Sequence, residues 1–293
     1  MAHFCRMLTN TCQQRQFGEL KDLGDKLLDG KKVAEAIYAR IRSMEFKSTP
    51  HLGIIHANSR PDSAIYIERK IKALRRLGFK YSVLKSQEEE EIVSKIKEWN
   101  TDFCIHGILV QFPMEENLNS RRILGLISRE KDVDGLRWNP NDNKQTFVPC
   151  TAAAVLELLD FYQIPILGKS ITVIGKSNLV GLPIALLMLQ RGASVSIVHR
   201  ATNDIKRFIK MADIVVSAAG SVGIVDYECI KEGAIIIDVG INRNKDNTVC
   251  GDVNVNGELV KKIKGLTPVP GGIGPITVAM LIENLALAAA RVG

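Results

Sequence analysis

The chain has 293 residues, long for one core and comfortable for two domains. Its composition, 46% hydrophobic and 24% charged, is that of a globular protein and excludes a disordered, collagenous or disulfide-stapled chain. The net charge of +7 is spread among acidic residues with no RNA-binding signature, so it suits anionic small molecules at least as well as nucleic acid.

The six cysteines, at positions 5, 12, 104, 150, 229 and 250, are scattered and form no C-x-x-C pair. That pattern argues against zinc or a disulfide framework and for a reducing compartment. No apolar run approaches the roughly 20 residues of a bilayer span. Residues 1–24 carry Arg6, Arg15, Thr9, Asn10 and Thr11, which hint at an organellar leader, but Glu19 and Asp22 argue against one. A loose or helical extension of a cytoplasmic protein is expected, with organellar import left open.

From Leu27 to Arg42 the spacing of Val33, Ile37 and Ile41 predicts a helix. Leu52–Ile55 reads as a short strand. Pro61-Asp62-Ser63 then starts a helix, with Asp62 or Ser63 as its cap, and Gly78 stops it. Tyr66 and Lys70 are four apart on that helix and share a face. Arg69, Lys72, Arg75 and Arg76 surround them, so spacing alone favours a solvated basic face. Burial could still lower the lysine's pKa enough for proton transfer at neutral pH.

Glu88–Trp99 reads as a surface helix with acids at its start, where the helix dipole favours them. Ile105–Phe112 is a near-continuous apolar strand ended by Pro113. Gln111 inside it must find a partner when buried. Lys131-Asp132-Val133-Asp134-Gly135 is a turn with Asx bonding; it lacks the later acids of a calcium loop. No metal site is expected. Pro149-Cys150-Thr151 precedes a helix, Ala152–Phe161, that links two domains.

Residues 168–200 are the most informative stretch. Ser170–Ile174 reads as a strand buried on both faces, followed by the turn Gly175-Lys176-Ser177-Asn178-Leu179-Val180-Gly181. An apolar helix runs on to Leu189, Gly192 stops it, and Ala193–Val198 is a second strand. Strand, glycine turn, helix and strand make a βαβ unit whose helix N-terminus suits a phosphate. The spacing is G-x-S-x-x-x-G, so the turn alone is weak evidence for a nucleotide. Ala212–Ser217 and Ala234–Asp238 are further buried strands, each followed by glycine, as in a sheet that binds a ligand at its carboxyl edge. Thr267–Thr277, rich in proline and glycine, reads as a rigid loop before a C-terminal helix.

Together SAIYIERK (63–70), HGILVQFP (106–113), EKDVDG (130–135), VPCT (148–151), GKSNLVGLP (175–183), DVGINR (238–243), GDV (251–253) and PVPGGIGPIT (268–277) resemble one family. It is the bifunctional methylenetetrahydrofolate dehydrogenase/methenyltetrahydrofolate cyclohydrolase family. The resemblance runs from about residue 27 to the end. It implies a two-domain α/β protein. A catalytic folate-binding domain (25–157, rejoined by the C-terminal helix 276–293) would accompany a Rossmann-like parallel-sheet cofactor domain (158–275).

The resemblance also implies roles. Lys70 would be the acid/base of the cyclohydrolase step, helped by Gln111. Tyr66 would pack on the folate and Asp134 would bind the pterin's donor nitrogens. Val110 and Pro270, Gly271, Gly272, Ile273 and Gly274 would line the substrate site. Gly175, Lys176, Ser177, Gly181 and Ile241 would contact the dinucleotide. The implied partners are tetrahydrofolate derivatives and a second copy in a homodimer, with no nucleic acid or membrane. NADP is expected over NAD, because the strand ending at Val198-His199-Arg200 carries no acid for the ribose hydroxyls and Arg200 could pair with a 2′-phosphate.

Three departures from the family pattern stand out. Ala152 replaces a proline, His56-Ala57-Asn58 replaces Val-Gly, and Arg200 stands where serine is frequent. A monofunctional dehydrogenase and a non-catalytic dinucleotide-binding module are the competing readings. Lys70 argues against the first, and Tyr66, Lys70, Gln111 and Asp134 together argue against the second.

Overall fold

The computed structural model describes residues 23–141, 147–244 and 248–291; expectations about residues 1–22 lie outside them. The chain divides into two compact units. One holds the chain up to Val33 and Thr151–Ile276, the other Ala34–Cys150 and Thr277 onward.

Helix α1 (Gly30–Arg42), which carries the chain from the first unit into the second, buries the expected stripe of Val33, Ile37 and Ile41. Strands β1 (His51–His56), β2 (Lys80–Lys85) and β3 (Gly107–Gln111) form a parallel sheet in the order β2-β1-β3. The crossovers are α2 (Pro61–Arg76) and α3 (Glu89–Thr101), and the short α4 (Ser120–Leu126) follows β3. One face of the sheet is apolar. Ile55, Ile108 and Val110 pack there with Ile92, Ile96 and Trp99 of α3. Gly53 must be glycine on that face, since a Cβ would lie 2.5 Å from the Trp99 ring. The helix expected to be superficial is therefore half core.

The start of α2 differs from expectation. Arg60 is the N-cap residue and caps with no side chain, while Pro61 occupies the first turn. Proline there needs no hydrogen-bond donor and holds Arg60 in the extended region. Ser63 does not cap because it is already the third residue of the helix, where its hydroxyl accepts from Asn58 Nδ2 at 2.9 Å.

In the first unit α5 (Cys150–Phe161) leads into β4 (Ser170–Ile174), α6 (Gly181–Gln190), β5 (Ser194–Val198), α7 (Ile205–Met211), β6 (Ile214–Ser217) and β7 (Ile235–Asp238). A small antiparallel pair, β8 (Asn242–Arg243) and β9 (Val249–Cys250), precedes α8 (Gly257–Lys262) and β10 (Gly265–Leu266). The main sheet is parallel, in the order β10-β7-β6-β4-β5. Gly192, with φ +82°, ends α6 as the sequence predicts.

The segment before α1 belongs to this unit. Leu23 is buried in its core, Leu27 bridges Leu266 in parallel, and Leu28 N–H donates to Leu266 O at 2.9 Å. Pairing with β10 is why the helix expected from Leu27 begins only at Gly30.

The last helix, α9 (Ile273–Arg291), carries the chain back into the second unit. Its 19 residues are long and apolar enough to cross a bilayer, which the sequence reading overlooked. Ile282, Leu285 and Ala286 are buried. Glu283 accepts from Arg40, and Asn284 Nδ2 donates to Val133 O at 2.8 Å.

Candidate active site

In the second unit the site begins at the carboxyl ends of β1 and β3. Side chains alternate across a strand, so Gln111 lies on the face opposite Val110, in register with His56. Lys70, on α2, reaches the same face. Its Nζ donates to Gln111 Oε1 at 2.9 Å, and Gln111 Nε2 donates to Phe112 O at 2.7 Å. Both ends of the amide are thereby used, which answers the expectation that this glutamine needs a partner. Burial pulls the Lys70 pKa down, while the Asp134 carboxylate opposes that shift. The lysine is thus no member of a solvated basic face. Tyr66 lies one turn earlier, half-buried, with the Arg69 guanidinium 5.6 Å from its ring centre. Val110 packs in the core against α3, so its side chain is not brought to Lys70.

The turn after the 3-10 segment Arg129–Lys131 places Asp134. Asp132 is buried and accepts from Leu136 N–H at 3.1 Å and Arg137 N–H at 2.7 Å. An aspartate therefore does hold the turn, but through N–H groups four and five residues on, not the two of the expected Asx turn. Burial pushes the Asp132 pKa up to about 6. Gly135 has φ +71°, and a Cβ there would lie 2.5 Å from Val148 C. That close approach lets Cys150 N–H donate to Asp134 O at 3.2 Å.

Three contributors escaped the sequence reading. Cys150 is buried, donates from Sγ to Val133 O at 3.3 Å and accepts from Asn284 Nδ2 at 3.5 Å. Burial and the nearby Asp134 carboxylate hold its thiol well above its usual pKa, so it is a neutral bracket and no nucleophile. Asn58 ties the end of β1 to its surroundings. Its Oδ1 accepts from Arg60 N–H at 2.9 Å and its Nδ2 donates to Ser63 and to Pro113 O. His56 is buried, and its Nε2 has no hydrogen-bond partner. Only the departure of residues 56–58 from the family pattern flagged the last two.

In the first unit the informative place is the carboxyl edge of the sheet between β4 and β6, where the chain switches direction. Gly175 has φ +114°, and a Cβ there would lie 2.4 Å from Ala218 O. A Cβ on Gly181 would lie 2.0 Å from Gly175 O. Both glycines of G-x-S-x-x-x-G are therefore demanded by close backbone approach. Ser177 Oγ accepts from Val180 N–H at 3.1 Å and closes the turn, and Lys176 and Ser177 are exposed. Arg200, after β5, and Ile241, after β7, are exposed too.

The Pro270–Gly274 segment also belongs largely here. Gly271 has φ +111° and its O accepts from Gly30 N–H at 3.0 Å. A Cβ on Gly272 would lie 2.6 Å from Pro268 O, whereas one on Gly274 would meet nothing within 4 Å. Among the described residues no group of His, Cys, Asp and Glu could hold a metal.

A parallel-sheet unit with a glycine turn at its switch point, combined in one chain with a unit where a half-buried lysine donates to a buried glutamine, defines a two-domain α/β protein with the frame of an enzyme. The chain belongs to the tetrahydrofolate dehydrogenase/cyclohydrolase family, whose catalytic domain matches residues 28–134 and whose NAD(P)-binding domain matches residues 149–292. It is similar to the bifunctional protein FolD of Polynucleobacter asymbioticus, with 41% identity over 280 residues, 91% of this chain and 98% of the relative. The crystal structure of the bifunctional dehydrogenase/cyclohydrolase FolD from Campylobacter jejuni is 36% identical with TM-score 0.85, over 90% of this chain and 98% of that one. The Trypanosoma brucei dehydrogenase-cyclohydrolase, solved with NADP and an inhibitor, is 34% identical with TM-score 0.82, over 90% of this chain and 96% of that one.

Proposed function

We propose that Lys70 and Gln111 carry out the hydrolytic half of the family's reaction, and that the Gly175–Gly181 turn holds the dinucleotide for the oxidative half. The protein is a bifunctional enzyme of folate one-carbon metabolism. It oxidises methylenetetrahydrofolate to methenyltetrahydrofolate with NADP and hydrolyses the methenyl compound to formyltetrahydrofolate. The observation that carries the site assignment is the bond from Lys70 Nζ to Gln111 Oε1 at 2.9 Å, made by a lysine whose burial lowers its pKa.

The residues present fit NADP. Gly175 and Gly181 leave no room for side chains, and the N-terminus of α6 favours a phosphate. Arg200 stands exposed after β5 and has the fork geometry for a 2′-phosphate, while no acid ends that strand to hold the ribose hydroxyls of NAD. When bound, NADP supplies the hydride acceptor. Lys176, Ser177 and Ile241 would contact it beside Gly175 and Gly181. Hydride loss from the methylene bridge needs alignment and no strong base, because the flanking nitrogens stabilise the cation formed.

Hydrolysis makes different demands. Water adds to the methenyl carbon, and ring opening needs a proton on the departing nitrogen. A lysine with a lowered pKa can take a proton at Nζ and return it, and Gln111 Oε1 holds that ammonium in place. In this reading Tyr66 packs on the folate and Asp134 accepts from the pterin's N–H groups. Pro270, Gly271, Gly272, Ile273 and Gly274 line the substrate, and Val110 contributes its backbone.

We further propose a cytoplasmic homodimer with no nucleic-acid or membrane partner. β5 is an edge strand of the five-stranded sheet and leaves Ile197 39% exposed, a surface that pairing with a second copy would cover. Light scattering tests that part. The catalytic reading is tested by absorbance with methylenetetrahydrofolate and either NADP or NAD. Reduced NADP and methenyl product should rise together, and purified methenyltetrahydrofolate should be hydrolysed faster than it is spontaneously. Cofactor reduction without that hydrolysis would establish the monofunctional alternative.

A further inference from the structure

Two aspartates outside the sites above lie buried at the carboxyl edge of the five-stranded sheet, in Asp238-Val239-Gly240 and Gly251-Asp252-Val253. Asp252 is fully buried, and five donors converge on it. Its Oδ2 accepts from Ser217 Oγ at 2.8 Å and from the N–H groups of Ala219 and Gly220 at 2.9 and 3.3 Å. Its Oδ1 accepts from Ser221 N–H at 2.9 Å and Asn242 Nδ2 at 2.8 Å. Successive backbone N–H groups wrapped round one anion form a nest.

The two segments interlock. Asp238 accepts from the N–H groups of Gly240, Asp252 and Val253 at 2.9, 3.1 and 3.0 Å. A Cβ on Gly240 would lie 2.2 Å from Asp252 Oδ1, and one on Gly251 would lie 1.9 Å from Asp238 Oδ2. Each aspartate therefore rests against the glycine of the other segment. Asp252 grips the loop after β6 and, through Asn242, the turn after β7. Ala218, inside the first of these, places its carbonyl against Gly175. One carboxylate thus sets the shape of three loops at the sheet's switch point.

We propose that Asp252 is a positioning residue for the dinucleotide: it contacts neither substrate nor cofactor, but presets the loops at residues 217–221 and 240–242 and, through Ala218, the Gly175 turn. The inference rests on the reading of Gly175–Gly181 as the cofactor turn. Loops ordered in advance need not be ordered by the cofactor on binding, so the effect appears in cofactor affinity. Asparagine in place of Asp252 keeps the shape but removes the charge and turns an NH₂ toward N–H donors, leaving at least one of them unpaired.

The test uses the whole enzyme. Asp252→Asn should raise the KM for NADP at least tenfold, and its Kd by titration calorimetry likewise, with a smaller fall in kcat at saturating NADP. Hydrolysis of purified methenyltetrahydrofolate, which needs no NADP, should stay within about twofold of wild type. An unchanged KM for NADP, or parallel loss of both activities with a lowered Tm, would overturn the proposal. Should Asp252→Asn fail to fold, Ser217→Ala removes one donor and leaves the carboxylate. It should raise the KM for NADP about threefold with the same sparing of hydrolysis, and no change would again overturn the proposal. Wild type without NADP reduction would instead sink the functional reading itself.

Discussion

Lys70 and Arg200 show how differently two exposed-looking basic residues can stand. Lys70 donates to Gln111 from a half-buried position, and burial lowers its pKa. Hydride transfer needs geometry, whereas hydrolysis needs a proton carrier, so Lys70→Met should separate the two activities. It keeps much of the stem and removes the ammonium. Cyclohydrolase activity should fall on the order of 10²–10⁴-fold, the usual contribution of a general acid/base, and dehydrogenase activity much less. Methenyl product should accumulate. Full hydrolysis by a folded Lys70→Met protein, corrected for the spontaneous rate, would remove Lys70 from the mechanism. Arg200 stays at the surface. Arg200→Ala should raise the KM for NADP roughly tenfold or more, since a charge-assisted hydrogen bond contributes about 1.5–3 kcal/mol. An unchanged KM would return NADP preference to some other residue.

At the scale of elements, the glycine-bearing turns carry the most specific constraints. Gly175 and Gly181 pack against backbone that a Cβ would strike, and Gly272 lies under Pro268 O in the same way. Gly272→Val should therefore displace the loop before α9 and abolish both activities, while far-UV circular dichroism stays that of a folded protein. Normal turnover in Gly272→Val would show that the loop is only a spacer. Gly274 is different. It has neither a positive φ nor a close neighbour, so it should accept alanine far more readily than Gly272 does. A wild-type-like Tm in Gly274→Ala, beside a lowered Tm in Gly272→Ala, is the expected contrast.

For the whole molecule, the buried acids make stability depend on pH. Burial pushes the Asp238 pKa up to about 7, with the nearby Asp252 carboxylate adding to the effect. Unfolded, an aspartate titrates near 3.9. Between about pH 4 and pH 7 the folded chain thus holds a proton at Asp238 that the unfolded chain has released. That contribution is present at low pH and is lost as pH rises through 7. His51, His56 and His106, drawn below 6.5 by burial, act with the opposite sign up to about that pH. The comparison that isolates Asp238 is therefore Asp238→Asn against wild type. In urea denaturation the variant should gain on wild type from pH 5 to pH 8, by an amount on the order of a few kcal/mol at most. A difference that does not move with pH would contradict the raised pKa.

Local pattern determined much of this protein before any coordinate. The apolar runs at 170–174, 212–217 and 234–238 read as buried strands, and strands form within each of them. The i, i+4 spacing placed Tyr66 and Lys70 on one helix face, and a glutamine inside an apolar strand demanded a partner. Tertiary structure alone decided who that partner was. Lys70 and Gln111 are 41 positions apart, and Asp252 collects donors 10 to 35 positions away. Periodicity reports only which neighbours a residue shares a face with, within a few positions, so convergence over such separations leaves no periodic trace. The same holds for Leu27 and Leu28, which the sequence joined to the first helix and the fold gave to the edge of β10. Their apolar side chains suited either setting, and the unpaired edge of β10 settled the matter.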